Sequence, residues 1–115
     1  MFGLERWAVV GRGSNGVVQA LLAKLAARGK AVAHVDPSGS TPGAAKALVD
    51  AGGTGTDVVN LCVGPARGIQ VIEACGVLGI RNVFIQPGAE SPEIEARCRE
   101  LGIAAVRGCV LAEMP

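Results

Sequence analysis

Short apolar runs alternate with longer amphipathic stretches along the chain, and this alternation constrains the fold more than any single motif. Trp7-Ala8-Val9-Val10 has the pattern of a buried strand and is ended by Gly11. Val17, Val18, Leu21, Leu22 and Leu25 then recur at the spacing of one helix face over residues 16–28, and Gly29 stops that helix. Residues 31–35 read as a second strand ended by Asp36-Pro37, residues 38–42 as a turn-rich loop, and residues 43–51 as a short helix. After the loose Gly52-Gly53-Thr54-Gly55-Thr56 stretch, residues 57–63 form a third strand closed by Gly64-Pro65. Ile69, Val71, Ile72, Cys75 and Leu78 mark a third helix with Gly79 at its end, and residues 82–85 a fourth strand ended by Gln86-Pro87-Gly88. Ser91 is an N-cap before Pro92 and Glu93, and the helix it opens runs to about Leu101 and stops at Gly102. Residues 103–106 give a fifth strand.

Composition narrows the class. A chain of 115 residues suffices for one domain, and at this size roughly 60–70% of the unfolded surface is buried on folding. Hydrophobic residues make up 50% of the chain and charged residues 18%, which excludes disorder. Aromatic content is 3%, with no tyrosine, so the chain has little with which to stack bases. Eleven basic residues against ten acidic ones, without a basic run, argue against nucleic acid and anionic membrane as partners. Cys62, Cys75, Cys98 and Cys109 show neither C-x-x-C nor zinc spacing, so no metal is expected and reduced thiols in the cytoplasm are. No apolar run approaches the roughly 18 residues that cross a bilayer. High apolar content and two open sheet edges lead to the expectation of a homodimer.

The motif with chemical content is Gly11-Arg12-Gly13-Ser14-Asn15-Gly16, a G-x-G-x-x-G that directly follows a predicted strand and opens a predicted helix. Spacing alone is weak among 17 glycines; the strand–loop–helix context gives it weight. In this reading Gly11 permits the tight turn, Gly13 lets backbone approach a pyrophosphate, and Gly16 lets helix pack on strand. The helix N-terminus offers free N–H groups to an anion, Ser14 and Asn15 add donors, and Arg12 adds charge. The expected fold is therefore α/β, a single Rossmann-type doubly wound domain over residues 1–115. Its five-stranded parallel sheet is expected in the order 3-2-1-4-5, with the flavodoxin-like 2-1-3-4-5 as competitor. Asp36 ends the second strand about 20 residues after Gly16, where dinucleotide-binding domains hold a ribose diol. An aspartate that simply starts the Pro37-Ser38-Gly39 turn fits equally well. His34, the sole histidine, reads as a hydrogen-bonded core residue, and Asn60 as a satisfied buried amide. Cys109 would need a nearby base to act as a nucleophile, so it reads as a buried structural thiol.

Taken together, these segments resemble the small CoA-binding proteins, whose Rossmann domain is similar to the CoA-binding domain of the succinyl-CoA synthetase α subunit. The residues that carry the likeness are Val9-Val10-Gly11, His34-Val35-Asp36-Pro37 and Asp57-Val58-Val59-Asn60. Further on they are Asn82-Val83-Phe84-Ile85-Gln86-Pro87-Gly88 and Val106-Arg107-Gly108-Cys109-Val110. The resemblance implies that the first loop (Gly11, Arg12, Gly13, Ser14, Asn15), the end of strand two (Asp36, Pro37, Ser38) and the strand-three loop (Val63, Gly64, Pro65, Arg67) hold the nucleotide part of coenzyme A. Gln86 and Gly88 join these by position, since loops at the carboxyl ends of parallel strands converge on one edge of the sheet. The function implied is CoA binding, and the expectation is that it goes without catalysis, because one Rossmann unit holds a cofactor but leaves few groups to act on a substrate. A NAD-binding or NAD-sensing module, suggested by the G-x-G-x-x-G motif together with Asp36, is one alternative. A ligand-binding subunit of an acyl-CoA synthetase-like enzyme is another.

Overall fold

The computed structural model describes residues 1–37, 39–52 and 55–115. Strands β1 (Arg6–Val10), β2 (Ala31–Val35), β3 (Val58–Leu61), β4 (Asn82–Ile85) and β5 (Ala104–Arg107) alternate with helices α1 (Gly16–Ala27), α2 (Thr41–Gly52), α3 (Pro65–Leu78) and α4 (Pro92–Leu101). A short α5 (Val110–Glu113), which the sequence pattern did not suggest, follows β5. All neighbouring strands are parallel.

The α/β class and the five-stranded parallel sheet are as expected, but the strand order is β2-β1-β3-β4-β5 rather than 3-2-1-4-5. Burial gives the reason. Every residue of β3 is buried, while β2 begins exposed and is only half-buried through Val32, Ala33 and His34. A strand reading Val-Val-Asn-Leu is stable only where neighbours cover it on both sides, so β3 lies beside β1 and β2 takes the edge. The third strand is also shorter than expected, ending at Leu61, so that Cys62 and Val63 belong to the loop.

Side chains alternate between two cores. Ala8 and Val10 of β1 point into a larger core with residues of α2, α3 and α4, among them Leu48, Ile72 and Ile94. Trp7 and Val9 point the other way, toward Val18, Leu21 and Leu25 of α1 and Val110 of α5. Crossovers of one hand require this split. The chain leaves β1 in one direction through α1 and returns in the other through α2, α3 and α4, so α1 must lie on the opposite face. Trp7 is 1% exposed, its Nε1 donates to Leu4 O at 2.9 Å, and its ring lies beside Phe2 and Phe84.

Helix ends follow local chemistry. Asn15 caps α1 through its side chain, and Ser91 caps α4 by accepting from Ile94 N. Gly79 and Gly102 take left-handed conformations after α3 and α4. Between those helices Arg97 donates to both carboxylate oxygens of Glu73, at 2.5 and 2.9 Å. The Arg97 hydrogen bond holds the Glu73 carboxyl below its ordinary value of about 4.5. A depressed folded-state value means the pair's contribution is present above that ordinary value and is lost as pH falls through the folded-state value. Arg97→Ala is therefore expected to lower stability slightly at neutral pH, as a largely solvated pair does. Urea unfolding of wild type and variant should converge in acid; a gap that persists there would contradict the assignment.

Candidate functional site

The strand order reverses between β1 and β3, and the loops that follow these two strands part at that point. A cavity of about 500 Å³ opens between them, within the range of small-molecule sites. Arg12, Ser14 and Asn15 line one wall; Val63, Gly64, Pro65 and Arg67 line the other, and Pro37 reaches in from the end of β2. Eight expected residues thus meet in one place. Ala66, inside the expected strand-three loop, lines the cavity as well, and so does Cys62, which the sequence reading passed over. The end of β3 is the signal that was available, since Gly64-Pro65 must be reached through a loop.

The charge and the helix ends around the cavity favour an anion over a cation. The N-termini of α1 and α3 both open onto it, and neither helix carries an acidic residue in its first turn. Asn15 Oδ1 accepts from Val17 N at 2.9 Å, so one amide of α1 is already occupied. Gly64 caps α3 without a side chain, and Pro65 occupies the first turn. Arg12 and Arg67 are both exposed and form no ion pair with a described carboxylate. Among the described residues, no acidic side chain lines the cavity.

The glycines play other parts than the motif suggested. Gly11 does not line the cavity. Its N–H donates to Val35 O, and its carbonyl accepts from His34 Nε2 at 2.7 Å. A Cβ on Gly11 would stand 2.5 Å from Val18 Cγ2 and 3.1 Å from Cys62 O, so this glycine permits the close approach of helix and sheet. A Cβ on Gly16, the position expected to do so, would meet nothing within 4 Å. Gly13 leaves room for the His34 ring, 3.3 Å from where its Cβ would be, and its carbonyl accepts from Gln19 Nε2. None of the three has a positive φ.

His34 is half-buried on the edge strand and props the loop through Gly11, rather than lying in a core. Asp36 Oδ1 is 3.7 Å from His34 Nε2, its side chain is 82% exposed, and it does not line the cavity. Ser38 lies outside the described residues. Gln86 and Gly88 line a second, adjoining cavity. Gly88 has φ +94° and gives its amide to Glu90 Oε2. Two further readings change. Asn60 is fully buried, yet its Nδ2 has no partner among the described residues, and Cys109 is half-buried rather than buried. Central β3 offers Asn60 only apolar neighbours across the sheet, Val9 and Phe84. No described helix is long and apolar enough to cross a membrane.

A family model described as a CoA binding domain matches residues 5–115. Among solved structures the chain is similar to a hypothetical protein from Pyrococcus horikoshii, at 19% identity and a TM-score of 0.74, covering 93% of this chain and 79% of that one. A conserved hypothetical protein from Pyrococcus furiosus gives 23% identity and 0.72, covering 96% and 100%. A protein from Thermus thermophilus gives 16% and 0.70, covering 97% and 90%. These likenesses concern the fold. No curated protein sequence matches the chain significantly.

Proposed function

Because the chain belongs to the CoA-binding domain family, we propose that it binds coenzyme A at the carboxyl edge of its sheet and catalyses no reaction alone. The diphosphate occupies the cavity between the loops after β1 and β3. The observation that carries this reading is the meeting of Arg12 and Arg67, neither paired with a described carboxylate, at two helix N-termini. Two cations and a set of helix amides suit a group that carries several negative charges in a small volume. Ser14 adds a hydroxyl donor, and the end of β2 around Pro37 borders the nucleoside.

Asp36 keeps NAD as a second reading, because a carboxylate at the end of β2 is where a ribose diol would be held. The two ligands differ at this point. CoA has a 3′-phosphate, which a carboxylate repels, and NAD has free hydroxyls, which it accepts. Calorimetric titration of wild type and Asp36→Asn with each ligand separates them. For CoA, the substitution is expected to leave affinity unchanged or raise it. For NAD, it should cost about 1–3 kcal/mol, as loss of a hydrogen bond to a charged group does. NAD binding that is lost in the variant, with no CoA binding to either protein, would overturn the proposal.

A further inference from the structure

The binding cleft does not stop at the diphosphate position. A second cavity of about 210 Å³ shares Asn15, Cys62, Val63 and Gly64 with the first and continues to Gln86. Val17, 45% exposed, gives it an apolar wall. Beyond it lies a group of side chains that phosphate binding does not use.

Gln86 is 3% exposed, and both ends of its amide are engaged. Its Oε1 accepts from Val110 N at 2.8 Å, and its Nε2 donates to Cys109 Sγ at 3.5 Å. The side chain therefore fixes the Cys109 thiol beside the end of β4. Cys62 lines both cavities, with its thiol 3.9 Å from Asn60 Oδ1 and the unpartnered Asn60 Nδ2 buried beneath it on the same sheet face. The two thiols are unlike. The Gln86 hydrogen bond lowers the Cys109 thiol from its ordinary value; burial and the Glu113 carboxylate oppose this, and the N–H groups of Ala112 and Leu111 assist. Burial, and then the neighbouring Cys109, push Cys62 up to about 12. The thiolate is the attacking form in disulfide exchange; Cys109, half-buried and held at the end of the cleft by the cavity-lining Gln86, suits that role better than the protonated Cys62.

We propose that Cys109 exchanges with a CoA disulfide whose one half sits in this cleft, so that the protein carries CoA as a mixed disulfide. The inference rests on the CoA-binding reading above. The Cys109 thiolate attacks the sulfur of the bound half, and the sulfur–sulfur bond of the CoA disulfide breaks. A Cys109–CoA disulfide forms, and the other half departs as a thiolate that takes a proton from water. Cys109 is oxidised to the disulfide level, and one CoA sulfur is reduced. The cleft suits the pantetheine arm between diphosphate and thiol: Asn15 and the Gly64 backbone offer polar partners to its amides, and Val17 an apolar contact to its methylenes.

Intact-mass spectrometry of the wild-type protein, incubated with CoA disulfide or with glutathione disulfide, tests this. The expected result is one adduct per chain, heavier by one CoA less two hydrogens, mapped to Cys109 and released by dithiothreitol. It should form at least about tenfold faster than the glutathione adduct, because a bound reactant is held at its nucleophile. Cys109→Ser should remove it, and the peptide map of the wild type decides the site if that variant does not fold. An adduct at Cys62, or equal rates with the two disulfides, would overturn the inference. Titration with reduced CoA tells the two readings apart. No binding removes the CoA reading itself, and binding without a Cys109 adduct removes only the exchange.

Discussion

Replacing both Arg12 and Arg67 by alanine is expected to weaken CoA binding at least about a hundredfold while leaving the fold intact. Each arginine supplies charge-assisted hydrogen bonds worth about 1.5–3 kcal/mol when made. Both side chains are exposed in the free protein, so solvent screening sets the effect near the lower end. Two such losses of about 1.5 kcal/mol each give roughly two orders of magnitude. Neither arginine is part of a core or an ion pair in the described residues, so circular dichroism and thermal unfolding should not change. The contacts are between opposite charges, so wild-type affinity should also fall as salt rises, and the double variant should respond less steeply. Calorimetry at two salt concentrations measures both effects. An undiminished affinity in the double variant would move the diphosphate out of this cavity.

Gly11→Val is expected to destabilise the protein, whereas Gly16→Ala is not. At Gly11 the added Cβ would press on Val18 Cγ2 and on the main chain of Cys62, and the latter cannot turn away as a side chain end does. Overpacking of this kind costs about 1–3 kcal/mol, which at about 4–8 °C per kcal/mol is a readily measured drop in Tm. Relief would require α1 to move off the sheet, disturbing Asn15 and Ser14 at its N-terminus, so CoA affinity should fall as well. At Gly16, the first residue of α1, a methyl group enters open space and alanine favours the helix. Thermal unfolding of the two variants gives the comparison. A larger loss from Gly16→Ala than from Gly11→Val would reverse the roles assigned here.

Element positions were legible from the sequence wherever local chemistry dominates. The ends of α4 were set by Ser91, Pro92 and Gly102, and β2 and β4 by apolar runs between turn residues. Strand order was not legible, because apolar periodicity reports how deeply a strand is buried but not which strand lies beside it. Only the contrast between the all-buried β3 and the half-exposed β2 carried that information. The cavity was legible as a meeting of three loops, because loops after parallel strands share one edge. The division of labour within them was not. The G-x-G-x-x-G spacing pointed to phosphate contact at Gly13 and close packing at Gly16, while the fold assigns close packing to Gly11 and a neighbouring imidazole to Gly13. His34 was missed for a related reason. Its strand looked internal in the sequence, and only the edge position of β2 leaves the ring free to reach the Gly11 carbonyl.

That hydrogen bond joins the loop after β1 to an edge strand of the sheet, the kind of element that opens first in native-state fluctuations. The loop cannot then be more rigid than the pairing of β2 with β1. Each excursion that frees β2 also releases Gly11 from both of its main-chain bonds, to Val35 and to His34. Occupancy of the cleft and fraying of the edge are therefore opposed. A ligand that orders residues 12–15 holds the outer strand in place, and its stabilisation should reach a part of the protein that it does not touch.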